Sequence, residues 1–221
     1  MRCSCCQQEV VKNVTLRELF FNTSQRCYHC EKRFSKINSK TACPGCGRPD
    51  SPKLCGDCQL WETQLGFVLN NQGIFRYDEG FQRWIESYKF KGDYRVRGGI
   101  AKELKEALKK YSDYLICPLP LSKERFRERG FNQVCGCLES ADCSYIELLE
   151  RKDLSPQSEK SRAERLKMEQ PFALKVENRK IRNQRVLLVD DVYTTGRTLF
   201  HGAEILYKNG AKTVKSLTFS R

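Results

Sequence analysis

The stretch Arg185–Phe200, RVLLVDDVYTTGRTLF, leaves this chain few ways to fold. Val186-Leu187-Leu188-Val189 is apolar without interruption. A strand of that pattern is covered on both faces, as in a parallel sheet. Asp190 and Asp191 follow at once, then Thr194, Thr195, Gly196, Arg197 and Thr198. Leu199, Ala203 and Leu206 recur at helical spacing, and Asn209-Gly210 marks the helix end. The unit is strand, acidic pair, hydroxyl-rich turn, helix. An α/β class with a parallel sheet flanked by helices is expected.

A helix N-terminus offers free N–H groups and a partial positive charge, which suit a phosphate. Gly196 lets the backbone approach closely. The threonine hydroxyls add hydrogen bonds. Paired carboxylates accept hydrogen bonds from the vicinal hydroxyls of a ribose. Phosphate beside a polyol is the geometry of a sugar phosphate. A plainer reading also fits these residues: Asp190-Asp191 ends a strand and caps a helix. A Walker A loop is excluded, since no GxxxxGK[ST] occurs. The whole run VLLVDDVYTTGRT resembles the phosphoribosyl-pyrophosphate (PRPP) motif of the type I phosphoribosyltransferases. That resemblance implies a Mg²⁺-PRPP site. Asp190 and Asp191 would hold the ribose hydroxyls and steady charge at the anomeric carbon. Thr194, Thr195, Gly196, Arg197 and Thr198 would hold the 5′-phosphate.

The chain's 221 residues allow one medium domain and a small one. Nine of its 13 cysteines fall in the first 58 residues. Eight of these form CxxC pairs: Cys3/Cys6, Cys27/Cys30, Cys43/Cys46 and Cys55/Cys58. In a reducing compartment this pattern reads as structural Zn²⁺ rather than disulfides. The Cys43 and Cys55 knuckles lie close enough to share one ion, and the two outer pairs suit another ribbon. Two sites are expected, with one degraded ribbon as the alternative. Cys5 reads as a spare thiol and His29 as a packing residue. Residues 1–62 form the expected cysteine-rich module and residues 63–221 the α/β domain. So small a module needs its metal for stability.

Between the two landmarks, Phe67, Ile74 and Phe75 suggest short strands around an Asn70–Gly73 turn. Tyr77–Phe90 reads as a helix with Phe81, Trp84, Ile85 and Tyr88 inward; Ile100, Leu104, Leu108 and Tyr111 mark another. Lys89 and its basic neighbours read as a solvated face. Tyr114–Cys117 reads as a strand opening into Leu119-Pro120 and a cationic loop with Lys123, Arg125, Arg127 and Arg129. Such a loop suits pyrophosphate; an exposed basic helix start is the plainer reading. Tyr145–Leu149 reads as a strand, and the alternation of Val214–Phe219 suits a strand nearer the sheet edge.

The run ICPLPLSKERFRERGFNQ, together with YKFKGD at 88–93 and the tail HGAEILYKNGAKTVKSLTFSR, is similar to the ComF family of bacterial competence proteins. The four CxxC pairs point to its ComFC type. The resemblance spans nearly the whole chain. It implies an N-terminal zinc-ribbon module on a type I phosphoribosyltransferase-like domain, with a role in DNA uptake beside the ComFA DNA translocase. It also implies a closing segment with Gln157, Ser161, Arg162 and Arg165. A linker is the other reading of residues 151–167.

The formal charge is +13. Two zinc tetrathiolates would bring it to about +9, from eight thiolates and two divalent ions. Between Arg151 and Arg185, eleven Lys or Arg face five Asp or Glu. Single-stranded DNA is the expected polyanion. Arg125, Arg127, Arg129, Arg162 and Arg165 are its expected contacts, with Phe126, Phe131 or Tyr193 available to stack. No apolar run reaches a membrane span and no signal segment is evident, so a cytoplasmic location is expected. No Ser/His/Asp set appears. Two functions follow: a PRPP- and DNA-binding competence protein, or an active phosphoribosyltransferase with an acceptor still to be named.

Overall fold

The computed structural model describes residues 2–10, 26–90, 92–152 and 170–221. Four strands form one wholly parallel sheet: β1 (Asn71–Phe75), β2 (Leu115–Pro118), β5 (Arg185–Val192) and β6 (Thr213–Ser220). Their spatial order is β1-β6-β5-β2. Two short strands, β3 (Leu149–Arg151) and β4 (Phe172–Leu174), pair antiparallel beside it. The helices are α1 (Tyr28–Arg33), α2 (Gly56–Leu65), α3 (Glu79–Phe90), α4 (Ala101–Leu108), α5 (Lys123–Arg129), α6 (Gln133–Ser140) and α7 (Arg197–Lys208). Among the described residues no helix is long and apolar enough to cross a membrane.

Val186–Val189 of β5 are apolar without a break because both faces of the strand are covered there. Leu187 and Val189 join one core with Phe81, Trp84 and Tyr88 of α3. Val186 and Leu188 join the other with Leu199, Phe200 and Ala203 of α7. Each such leucine or valine contributes roughly 1.5–3 kcal/mol by leaving water. This is the α/β architecture expected from Val186–Val189.

The last strand departs from its expected place. β6 lies inside the sheet, between β1 and β5. Ser216, Thr218 and Ser220 are fully buried. Asn71 links the first two to the Cys43–Cys46 knuckle. Asn71 Nδ2 donates to the Cys46 carbonyl and to Thr218 Oγ1, both at 3.0 Å. Ser216 Oγ donates to Asn71 Oδ1 at 2.9 Å. The partner that lets this polar face lie inside the sheet is some 145 residues away in the chain.

Three further expectations shift. The Asn70–Gly73 turn is strand from Asn71 onward. A Cβ on Gly73 would meet Arg221 Cβ and Ile37 Cδ1 at 2.9 Å, so glycine there permits close approach rather than a turn. The strand of Tyr145–Leu149 begins only at Leu149. The cationic loop is helix α5: Ser122 Oγ accepts from Arg125 N at 3.2 Å, and Gly130, at φ 76°, ends it.

The expected module boundary at residue 62 falls inside α2. The cysteine-rich region also packs deeply on the rest. Arg26, 4% exposed, pairs with Glu103 of α4, 3% exposed. His29 does not pack in a core but is exposed, edge-on to Tyr28.

Candidate functional site

The parallel sheet brings four strand ends to one side, where open α/β sheets hold their ligands. A cavity of about 640 Å³ lies there. Each strand supplies part of its wall: Tyr77 after β1, Leu119 and Pro120 after β2, Asp190–Thr194 from β5, and Arg221 after β6.

Asp190 and Asp191 occupy its floor. Asp190 Oδ1 accepts from the Asp191 N–H at 2.8 Å. Burial, and then the neighbouring Asp191 charge, push the Asp190 carboxyl up to about 7. Asp191 is held differently. Its Oδ2 accepts from Lys89 Nζ at 2.7 Å and from Gln133 Nε2 at 3.1 Å. Lys89 is therefore part of the site, 16% exposed, and not of a solvated face.

Thr194 and Thr198 line the cavity. Between them, Gly196 sits at φ 80° and precedes α7. The first N–H of that helix, on Arg197, bends back to Thr195 Oγ1 at 3.4 Å, and the N–H groups that follow it are left for an anion. A Cβ on Gly196 would lie 2.2 Å from Tyr193 Oη. Thr195 and Arg197 belong to the turn but not to the cavity wall. Trp61 of α2 secures the turn from behind, its Nε1 donating to the Thr195 carbonyl at 2.9 Å.

Arg125, Arg129 and Arg151 supply cations to the wall. Burial lowers both Arg129 and Arg151, and repulsion from Arg125 adds to it in each. With Lys89 and Arg221, five cations line the cavity against two carboxylates. This excess suits a ligand with anionic groups around a hydroxylated centre.

Among the expected residues, Asp190, Asp191, Thr194, Thr198, Leu119, Pro120, Arg125 and Arg129 thus meet in one place. Lys123, at the start of α5, and exposed Arg127 do not line it. Arg162 and Arg165 lie outside the described residues, as do Gln157 and Ser161. Tyr193 is 2% exposed, and Phe131 packs on Tyr88 and Tyr94, so neither can stack on a base; Phe126, 51% exposed, can. Lys89, Gln133, Arg151, Tyr77 and Arg221 were not anticipated. YKFKGD and GFNQ contain the first two, but no local pattern points to the others.

The cysteines group as their spacing suggested. Sulfur atoms of Cys3, Cys6, Cys27 and Cys30 lie within 4.8 Å of one another, as do those of Cys43, Cys46, Cys55 and Cys58. A tetrahedron with metal–sulfur bonds of about 2.3 Å has edges of about 3.8 Å. Cys6–Cys27, Cys43–Cys58 and Cys46–Cys55 are 3.8, 3.9 and 3.6 Å apart. Burial alone would raise the Cys3 thiol, but backbone N–H groups of Cys6, Cys27 and Cys5 bring it down to about 6. Those of Cys46, Cys55 and Gly45 likewise outweigh burial at Cys43, at about 7. Both clusters fit a tetrahedral ion such as zinc. Cys5 joins neither and points its Sγ at the Gly99 carbonyl, 3.9 Å away. Elemental analysis of purified protein is expected to find two zinc ions per chain; one would reject the second ribbon, and none would reject both.

Comparison with known proteins agrees with this geometry. Residues 100–221 match the family model described as "Phosphoribosyl transferase domain". Competence protein ComFC of Streptococcus pneumoniae is 36% identical over 100% of both chains. Competence protein ComFC of Bacillus subtilis is 34% identical over 99% of this chain and 94% of that one. Competence protein F of Haemophilus influenzae is 27% identical over 89% and 96%. A phosphoribosyl transferase domain behind two four-cysteine clusters, with full-length identity at this level, makes the chain a member of the ComFC family of competence proteins.

Proposed function

We propose that the chain serves DNA uptake in natural transformation as a cytoplasmic protein. It binds PRPP with Mg²⁺ at the Asp190–Asp191 cavity, binds single-stranded DNA, and partners the ComFA translocase. The observation that carries the PRPP part is the placing of two carboxylates between an open helix N-terminus and a cationic wall. The 5′-phosphate meets Thr194, Thr198 and the start of α7. The ribose hydroxyls donate to Asp190 and Asp191. The diphosphate faces Arg125, Arg129 and Arg151, which accounts for two of the expected DNA contacts turning inward. Asp190 and Asp191 are the only carboxylates among the described wall residues. Mg²⁺ would therefore enter on the ligand's own oxygens, where it offsets diphosphate charge. Titration calorimetry with PRPP and Mg²⁺ tests this. Saturable binding by the parent protein is expected, and no heat with folded protein rejects the reading.

One observation favours the second reading, an active transferase. The half-buried Asp190 carboxyl, pushed up to about 7, suits a group that takes a proton from an attacking acceptor. Arg125 and Arg129 would then stabilise the departing pyrophosphate. Pyrophosphate release that depends on both PRPP and an added acceptor would establish it.

The DNA part rests on the basic balance of the chain and on the competence role named for its relatives. Affinity for a homopolymeric single strand is expected to fall steeply with salt, since binding phosphates releases counterions. Titrations at 50 and 200 mM salt (about a fourfold span) check this. No binding at the lower value would remove DNA contact from the isolated chain.

A further inference from the structure

We propose that Arg221 couples metal occupancy at the Cys43–Cys46–Cys55–Cys58 centre to ligand affinity in the Asp190–Asp191 cavity. The ligand half of this rests on the sugar-phosphate reading above; the metal half does not. Arg221 follows β6 directly and forms part of the cavity wall. Its side chain is only 12% exposed. Nη1 donates to the Tyr193 carbonyl at 3.4 Å, and the guanidinium lies 4.8 Å from the Tyr193 ring centroid. On its other side, Nη2 reaches Cys46 Sγ at 3.6 Å and Asp57 Oδ2 at 3.8 Å. Asp57 lies inside the Cys55–Cys58 knuckle. Arg221 Nε is buried without a partner. A group held from both ends, at the cost of one unmade hydrogen bond, is fixed by its two anchors.

The chemistry supplies a direction. Four thiolates around one divalent ion keep two negative charges. A guanidinium donor on one sulfur spreads that charge and orients the ligand, as outer-shell partners of metal sites do. Without the ion, Cys46 is free to turn, and Arg221 loses one of its anchors. Tyr193, whose carbonyl and ring Arg221 covers, leads directly into the phosphate turn. Trp61, on the helix that begins at the second knuckle, ties to Thr195 of that same turn. The cavity therefore loosens when the centre empties. The coupling is reciprocal: a ligand that needs the ordered cavity must slow metal loss by the same free energy.

The test uses the full zinc-loaded chain and reads zinc transfer to a chromogenic chelator. Alkylation and mass spectrometry identify which cysteines become exposed. Arg221→Met removes the donor and keeps the stem. Arg221→Lys keeps the charge but cannot span Cys46 and the Tyr193 carbonyl together. Both variants should release one zinc about 10–100-fold faster than the parent, with new labelling on Cys43–Cys58 and not on Cys3–Cys30. PRPP with Mg²⁺ should slow that release in the parent and not in either variant. Release at the parental rate overturns the proposal, even if only the lysine variant folds. So does PRPP protection that survives in the variants. A parent that neither binds nor is protected by PRPP overturns the coupling through the sugar-phosphate reading. Zinc release then tells the two failures apart, because it needs no ligand.

Discussion

Replacing Asp190 and Asp191 together by alanine should lower PRPP affinity more than about a hundredfold. On the proposed reading each carboxylate would accept charge-assisted hydrogen bonds from ribose hydroxyls, worth roughly 1.5–3 kcal/mol apiece. The loss includes a local cost, since Lys89 and Gln133 both spend their donors on Asp191. Calorimetry on folded protein measures it. If the double variant binds like the parent, the pair only ends a strand and caps a helix. The single change Asp190→Asn separates binding from stability. Its amide oxygen can still accept the Asp191 N–H. In the native state Asp190 titrates near 7, above the ordinary carboxylate value of 3.8. The folded chain therefore holds a proton that the unfolded chain has released between those values. This proton makes stability fall as pH rises through that window, with the penalty full above about pH 7. Asp190→Asn should thus raise the melting temperature at pH 8 and leave it unchanged below pH 4. The expected rise is about 2–4 °C for each kcal/mol relieved. Equal melting temperatures at pH 8 would mean that the carboxyl is better solvated than its surroundings suggest.

Gly196→Val should abolish PRPP binding. Two independent effects act at this position. The residue lies at φ 80°, where a β-branched side chain is strongly disfavoured. Any Cβ also meets Tyr193 Oη at 2.2 Å, and Tyr193 is 2% exposed and cannot retreat. The turn must open or α7 must start elsewhere, and either removes the N–H groups from the phosphate position. Gly196→Ala separates the effects partly, since it keeps the contact and relaxes the branching. It should still weaken binding severely. Zinc content at saturating metal should stay at the parental value in both variants, because neither removes a thiolate ligand. Full binding by Gly196→Val would place the phosphate away from this turn.

These positions were readable in the sequence because each depends on residues next to it. Strand, acidic pair, turn and helix follow one another within Arg185–Lys208, so pattern and contact coincide. The cysteine pairs were readable for the same reason, since spacing inside a knuckle dictates its geometry. Lys89 was misread because its carboxylate lies on another strand, over a hundred positions later, and an isolated lysine on a helix gives no sign of that. Arg221 ends the tail HGAEILYKNGAKTVKSLTFSR, but nothing in that run marks its place. It matters only because β6 delivers it between a cysteine knuckle and the cavity. β6 was expected nearer the sheet edge because alternation reports polarity, which does not tell an edge strand from an inner one whose polar face has a partner. Burial of a polar face becomes visible only with its partner, Asn71, in place.

That buried face also bears on how such a chain can be recombined. Asn71 joins the Cys46 carbonyl, Thr218 and Ser216 in a single hydrogen-bonded knot between the Cys43–Cys46 knuckle and the sheet. A transplanted sheet domain without the knuckle would leave those groups facing a void or water. A foreign cysteine module would have to present a carbonyl at the same point. The two parts therefore have to be moved as a pair. An engineer grafting this domain onto another ribbon must carry Asn71, Ser216 and Thr218 with the knuckle, or replace all three with apolar side chains at once.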